Sequence, residues 1–370
     1  MGFLRLFLAL CVIAGHAGTT VFGFLGIGAW YAVNLFFIIS GFYMAMVLNE
    51  KYHDTPVNVF YKSRALRLYP IYFVGLASFL VTSSDFFYTQ VYQQLDTLYK
   101  IFFVFQNIFI IGQDISSVIC SKTITGQCIN PVVMTINPPA WSLSVELLFY
   151  IVAPFILKSP KRTVLFFFYG VLYLIACTYI KFPVAASHFE NSTYKSFYYF
   201  FYPSSFVYFA AGALSYHFSK GSFTPKYWIM LVAILLSSLT FTEMPMWHMF
   251  FISASIPLIF GLTKHNKLDR IIGEISFPAY IIHIPILVFL RGKVDIWKPI
   301  FDHVSLGTLT AIITCIVGIA LHFTIEKAID KFRHNNLKQK PNGVVYKLVK
   351  FIVMPVIFSI PVVFLVHILG

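Results

Sequence analysis

The sequence predicts an all-α, polytopic membrane helix bundle, and three observations carry that expectation: composition, the lengths of the apolar runs, and the loops that hold the basic residues. Of 370 residues, 58% are hydrophobic and 11% charged, with a mean hydropathy of +0.78, against roughly a quarter charged in an average soluble domain. That excludes a soluble enzyme. The formal net charge of +13 reads as basic loops that set topology rather than as a nucleic-acid surface.

Apolar stretches run over 3–25, 26–48, 69–84, 98–112, 141–157, 163–180, 197–217, 227–242, 246–262, 271–290, 304–326 and 347–369. The first begins with Arg5 ahead of LFLALCVIA, has no small-residue cleavage site, and is read as a retained helix. The stretch 98–112 (YKIFFVFQNIFIIG from residue 99) is short for a crossing that needs about 20 residues. If every stretch crossed, KSPKR at 158–162 and KHNKLDR at 264–270 would face outside, against the rule that short cytoplasmic loops hold most Lys and Arg. An interfacial or re-entrant 98–112 repairs the pattern. It leaves about 10–11 transmembrane helices, a cytoplasmic N-terminus, and 20 of the 27 basic residues inside.

The domain expectation is a membrane domain over 1–330, a basic cytoplasmic linker over 331–346 able to attract anionic lipid, and a final transmembrane helix over 347–370. Cys11, Cys177 and Cys315 lie in apolar runs and read as packing. Cys120 and Cys128 flank the polar SKTITGQ in an outside loop of about 85–140, where a disulfide can persist. No spacing suggests a metal site.

Ionisable groups within spans cost about 2.5–3.5 kcal/mol each on insertion scales, so each needs a partner or a task. Arg5 and His16 are eleven residues apart, which places them ~20° apart in azimuth and ~16 Å apart in height on one helix. In NLFFIISGF (34–42), Ser40 and Gly41 permit close approach of another backbone or a ligand. Arg64 and Arg67 share a helix face at the mouth of the third span, suited to a bidentate phosphate clamp or to positive-inside anchoring. In PPAWSLSVELLFY, Trp141 reads as an interfacial aromatic, and Glu146, a turn or two deeper, as a candidate partner that orients His16. Tyr280 and His283 sit beside Pro278 and Pro285, in a helix whose breaks suit a cavity wall.

Taken in order, these segments resemble the acyltransferase-3 family of integral membrane O-acyltransferases. The resemblance rests on Arg5 with His16, the NLFFIISGF span, Arg64-x-x-Arg67, the W-S-L-S-x-E run ending at Glu146, and the run Ser276, Tyr280, His283. Many members carry an acidic residue where Asn34 stands, so Asn34 is assigned to the cavity without a proton-transfer role. Some members add a C-terminal hydrolase domain, in place of which a membrane helix stands here. The resemblance implies acyl-coenzyme A, most often acetyl-CoA, as donor substrate with no tightly bound cofactor. It also implies a hydroxyl of a surface glycan as acceptor, such as lipopolysaccharide O-antigen, exopolysaccharide or a lipid-linked precursor, and a multi-pass protein of the inner membrane. Catalytic roles fall on His16 and Glu146, donor binding on Arg5, Arg64 and Arg67, and cavity or support roles on Asn34, Ser40, Trp141, Tyr280 and His283, with His283 also able to replace Glu146 as the partner of His16. The competing class is a transporter or flippase, which also uses broken helices and intramembrane charge; motif order and the lack of a repeat between halves favour transfer.

Overall fold

The computed structural model describes residues 1–119, 121–129, 131–179, 197–221, 246–301, 303–336 and 343–359. They form an all-α bundle: α1 (Gly2–Ala17), α2 (Ala29–Asn49), α3 (Val57–Phe86), α4 (Thr97–Phe109), α5 (Gln113–Ser116), α6 (Ala140–Ile156), α7 (Pro160–Tyr179), α8 (Tyr202–Ser219), α9 (Met246–Thr263), α10 (Lys267–Arg291), α11 (Val294–Phe301), α12 (Leu306–Leu321), α13 (Lys327–Asn336) and α14 (Gly343–Leu348). Among the described residues, five helices are long and apolar enough to cross a membrane, and Gly2–Ala17, Ala140–Ile156 and Ile252–Thr263 are shorter apolar helices. The protein is a multi-pass membrane protein. The expected span 227–242, Cys120 and the linker residues 337–342 lie outside the described residues; Cys128 is disulfide-bonded, whereas Cys11, Cys177 and Cys315 are free thiols.

Two boundaries differ from the hydropathy reading for backbone reasons. The first helix ends at Ala17 rather than near residue 25 because Gly18 turns left-handed (φ +67°) and returns its N–H to the Ala14 carbonyl. Helix α3 begins at Val57, twelve residues before the apolar run, so the basic YKSRALR is itself helical and Arg64 and Arg67 stand on its wall.

The stretch 98–112 folds back rather than continuing through the bundle: α4 begins just after Leu95, and Leu95 bridges to Thr123 on the returning chain. Asp96 caps α4 by accepting from the Thr97 N–H at 2.7 Å. The helix then descends beside the middle of α3, where Tyr72 and Tyr69 donate to the carbonyls of Asn107 and Phe109. Its outer face (Leu98, Ile101, Phe105, Ile108) is exposed while Phe103, Gln106 and Asn107 are buried. Ile110 and Gly112, both at positive φ, turn the chain into α5, and Gly112 N–H donates to Ser144 Oγ on α6. Ser144 in turn donates to Asp114 at 2.7 Å, so the hairpin pins α6 at a set depth.

Helices α2 and α8 run parallel, with Trp30 near Tyr199 at one end and Glu50 bonded to Lys220 at the other. They touch backbone to backbone. A Cβ on Gly41 would strike the Phe209 main chain, and one on Gly212 would strike Ile38 and Phe42. This is the close approach expected of the Ser40-Gly41 step, and it is the small-residue packing that membrane helices use. Gly41→Leu and Gly212→Leu should each destabilise the bundle by about 3 kcal/mol or more, seen as a lower thermal aggregation midpoint in detergent, while Ser215→Ala, which loses only a local bond to the Gly212 carbonyl, should leave the midpoint within a few degrees.

Candidate functional site

A cavity of about 460 Å³ opens at the end of the bundle that carries Met1, between α1, α2, α3, α6 and α10. Arg5, Arg64 and Arg67 line it together. The i, i+3 spacing on α3 brings Arg64 and Arg67 to one wall, and Arg5, one turn into α1, faces them beside Gly273. Among the described residues none of the three makes an ion pair with a carboxylate. Arg64 is 7% exposed, stacks over the Phe60 ring, and has a buried Nε with no hydrogen-bond acceptor. A buried guanidinium left this way is costly unless an anion completes it.

Glu146 lies in the same cavity, two turns into α6. It accepts from Ser40 Oγ at 2.7 Å and from the Tyr150 hydroxyl at 2.5 Å, and it is close enough to Arg5 to interact electrostatically. The cavity stops at Ser142 and Tyr280, whose hydroxyls are 2.9 Å apart.

Beyond that point, towards the opposite face, stands a histidine pair. His16 Nδ1 is 2.8 Å from His283 Nε2, and the rings stack at 5.1 Å with 12° between planes. His16 is exposed on its outer side, whereas His283 is 0% exposed. Helix α10 holds α1 at both ends. Asp269 accepts from the Gly2 and Phe3 N–H groups at 2.8 and 2.9 Å and from the Met1 nitrogen, filling orphan donors at a helix start. Arg291 donates to the carbonyls of His16 and Ala17, both at 3.0 Å, filling orphan acceptors at the helix end. Pro285 frees the Ile281 carbonyl of α10, and Asn137 Nδ2 donates to it at 3.1 Å.

The expected pairing of His16 with Glu146 is not the contact made. His16 sits in the last turn of α1 next to α10, while Glu146 sits on the cavity side of Tyr280, so His283 takes the place expected of the carboxylate. Ser40, Ser276 and Tyr280 line the cavity. Asn34 is buried, with Nδ2 unpaired. Trp141 is not an interfacial aromatic: it is 9% exposed and packs on Phe37, Tyr199 and Phe200, because α8 and the residues before it cover that face of α6. Sequence reasoning missed Asp269, Arg291 and Tyr150; the only signal for them was a charge or hydroxyl at a helix end facing an unknown neighbour.

Three arginines that form no ion pair among the described residues thus line one cavity, and a histidine pair stands beyond it towards the opposite face of the bundle. Residues 1–326 match the acyltransferase domain model Acyl_transf_3, and the chain belongs to that family: it is a membrane acyltransferase. Comparison of the chain with curated proteins and with solved structures finds no match.

Asp269→Ala should loosen α1 by about 1–2 kcal/mol, the scale of a lost helix cap, and lower the thermal midpoint in detergent; Asp269→Asn, which keeps one acceptor oxygen, should recover part of the loss.

Proposed function

We propose that the protein transfers an acyl group, acetyl foremost, from cytoplasmic acyl-CoA to a hydroxyl of an extracytoplasmic surface glycan, with His16 as general base. The carrying observation is the convergence of Arg5, Arg64 and Arg67, which form no ion pair with a carboxylate among the described residues, on one cavity that opens at the face opposite exposed His16. Guanidinium groups so placed match the phosphates of coenzyme A. The Met1 face also carries Lys51, Lys158, Arg162, Lys220, Lys264 and Arg333 at helix ends and turns, which by the positive-inside rule supports reading it as the cytoplasmic face of an inner-membrane protein. Membrane lipids surround the bundle; nucleic acid has no part in this reading. The donor is a substrate, not a resident cofactor.

The acceptor hydroxyl oxygen attacks the thioester carbonyl as its proton passes to His16. The C–S bond then breaks, and the thiolate takes the proton back. General-base help of this kind contributes about 10²–10⁴ in rate. Transfer requires the acylated end of the donor to pass Tyr280 and Ser142, since the cavity ends there. Glu146 serves the cavity rather than the histidine: it orients Ser40 and Tyr150 and offsets the charge of Arg5. An acceptor of lipopolysaccharide O-antigen, exopolysaccharide or lipid-linked glycan type fits a base that is open on the outer face.

Membranes holding the wild-type protein and given acetyl-labelled coenzyme A should pass label into polysaccharide; His16→Ala should abolish transfer while leaving expression intact, and retained transfer would refute the base assignment. Arg64→Gln and Arg67→Gln should each raise KM for acyl-CoA by about tenfold or more, as expected for loss of a charge-assisted phosphate contact, with a smaller change in kcat.

A further inference from the structure

His283 holds a hydrogen-bond pattern that leaves little freedom in where protons lie. Its Nδ1 is 2.7 Å from the main-chain carbonyl of Tyr280, three residues back on the same helix. A carbonyl has no proton to give, so His283 Nδ1 carries one. The ring is wholly buried, and no carboxylate bonds to it among the described residues. The charged or titratable groups that face the pair are Arg291 and Tyr280, both from α10, and neither can balance an imidazolium. The neutral ring is therefore the one that fits, and its Nε2 is a bare lone pair. His16 Nδ1, 2.8 Å away, must then be the donor. The remaining nitrogen of His16, Nε2, holds the free lone pair.

From this chain of bonds we propose that His283 is a positioning residue that fixes the tautomer and ring orientation of His16, so that Nε2 of His16 is the nitrogen that takes the acceptor proton. The relay runs from the Tyr280 carbonyl to His283 Nδ1–H, and from His283 Nε2 to His16 Nδ1–H. A neighbour's hydrogen bond decides which imidazole nitrogen is protonated. When His16 gains its second proton during attack, both its nitrogens carry hydrogen, and His283 Nε2 continues to accept from His16 Nδ1–H without His283 gaining or losing a proton. The proposal rests on the transfer reading above, with His16 as base.

The test exploits the two nitrogens of His283 separately. In His283→Gln the side-chain oxygen reaches the place of Nε2 and accepts from His16; in His283→Asn the shorter amide reaches only the place of Nδ1 and the Tyr280 carbonyl. With full-length protein in membranes, kcat for acetyl transfer should fall about 10²-fold in His283→Ala and His283→Asn, the upper end for lost supporting contacts, and stay within about tenfold of wild type in His283→Gln. KM for acetyl-CoA should remain within twofold in all three, because His283 does not line the donor cavity. The double variant His16→Ala/His283→Ala should be no slower than His16→Ala. Thermal midpoints in detergent separate misfolding from loss of the relay: Gln and Asn are of similar polarity in the same site, so equal midpoints with unequal kcat support the assignment. Equal kcat in Gln and Asn, wild-type kcat in Ala, or a change in KM alone would overturn it. Activity retained in His16→Ala would instead overturn the base reading on which it depends.

Discussion

Helix α1 depends on α10 for its position, and the site depends on α1. Sixteen residues make a helix of about 24 Å, short for a membrane crossing and with unpaired groups at both ends. Asp269 meets the donors at its start and Arg291 the acceptors at its end. Gly2 bonds to Asp269 and His16 to His283 at the same sequence offset, so the two helices run parallel in one constant register. The absence of a Cβ at Gly2 lets the backbones meet where Asp269 reaches over. Once this register is set, Arg5 faces the cavity and His16 faces His283; neither placement can change without the other.

The register also separates two kinds of electrostatics. On the cavity side, three guanidiniums share the lining with Glu146, already engaged by two hydroxyls, and with Asp269, Glu274, Glu326 and Asp330, yet none of the three forms an ion pair with a carboxylate among the described residues. In the proposed reaction the phosphates of the donor fill that place. Beyond Tyr280 the proton-handling groups are two imidazoles, with Arg291 held at the helix end by carbonyl oxygens. In the proposed reaction an uncharged thioester can approach a neutral base, whereas the phosphates that accompany it are too costly to move into apolar surroundings and stay with the arginines.

Much of this was legible along the chain. Helix content, the short stretch 98–112 as a segment set apart from the spans and the grouping of Arg64 with Arg67 follow from apolar periodicity, run length and loop charge, all of which are local. Gly41 as a contact point followed from its size. What was not legible depended on neighbours. The pairing of His16 with His283 instead of Glu146 requires knowing that α10, not α6, lies against the last turn of α1. Trp141 has the position of an interfacial aromatic within its own helix and is buried because Phe37 of α2 and the residues just before α8 pack on it. The early end of α1 is set by a left-handed Gly18 inside a run that stays apolar on both sides, where hydropathy has no signal.

By itself, then, the sequence determined a multi-pass helical acyltransferase and the motif residues expected at its site, because hydrophobic length, charge placement and motif order are properties of one dimension. Only the tertiary structure decided which of those residues touch. Side chains more than a hundred positions apart, such as Ser40 and Glu146 or His16 and His283, meet through helix neighbourhood and register. These are set by small-residue contacts and end caps between helices, which no single segment contains.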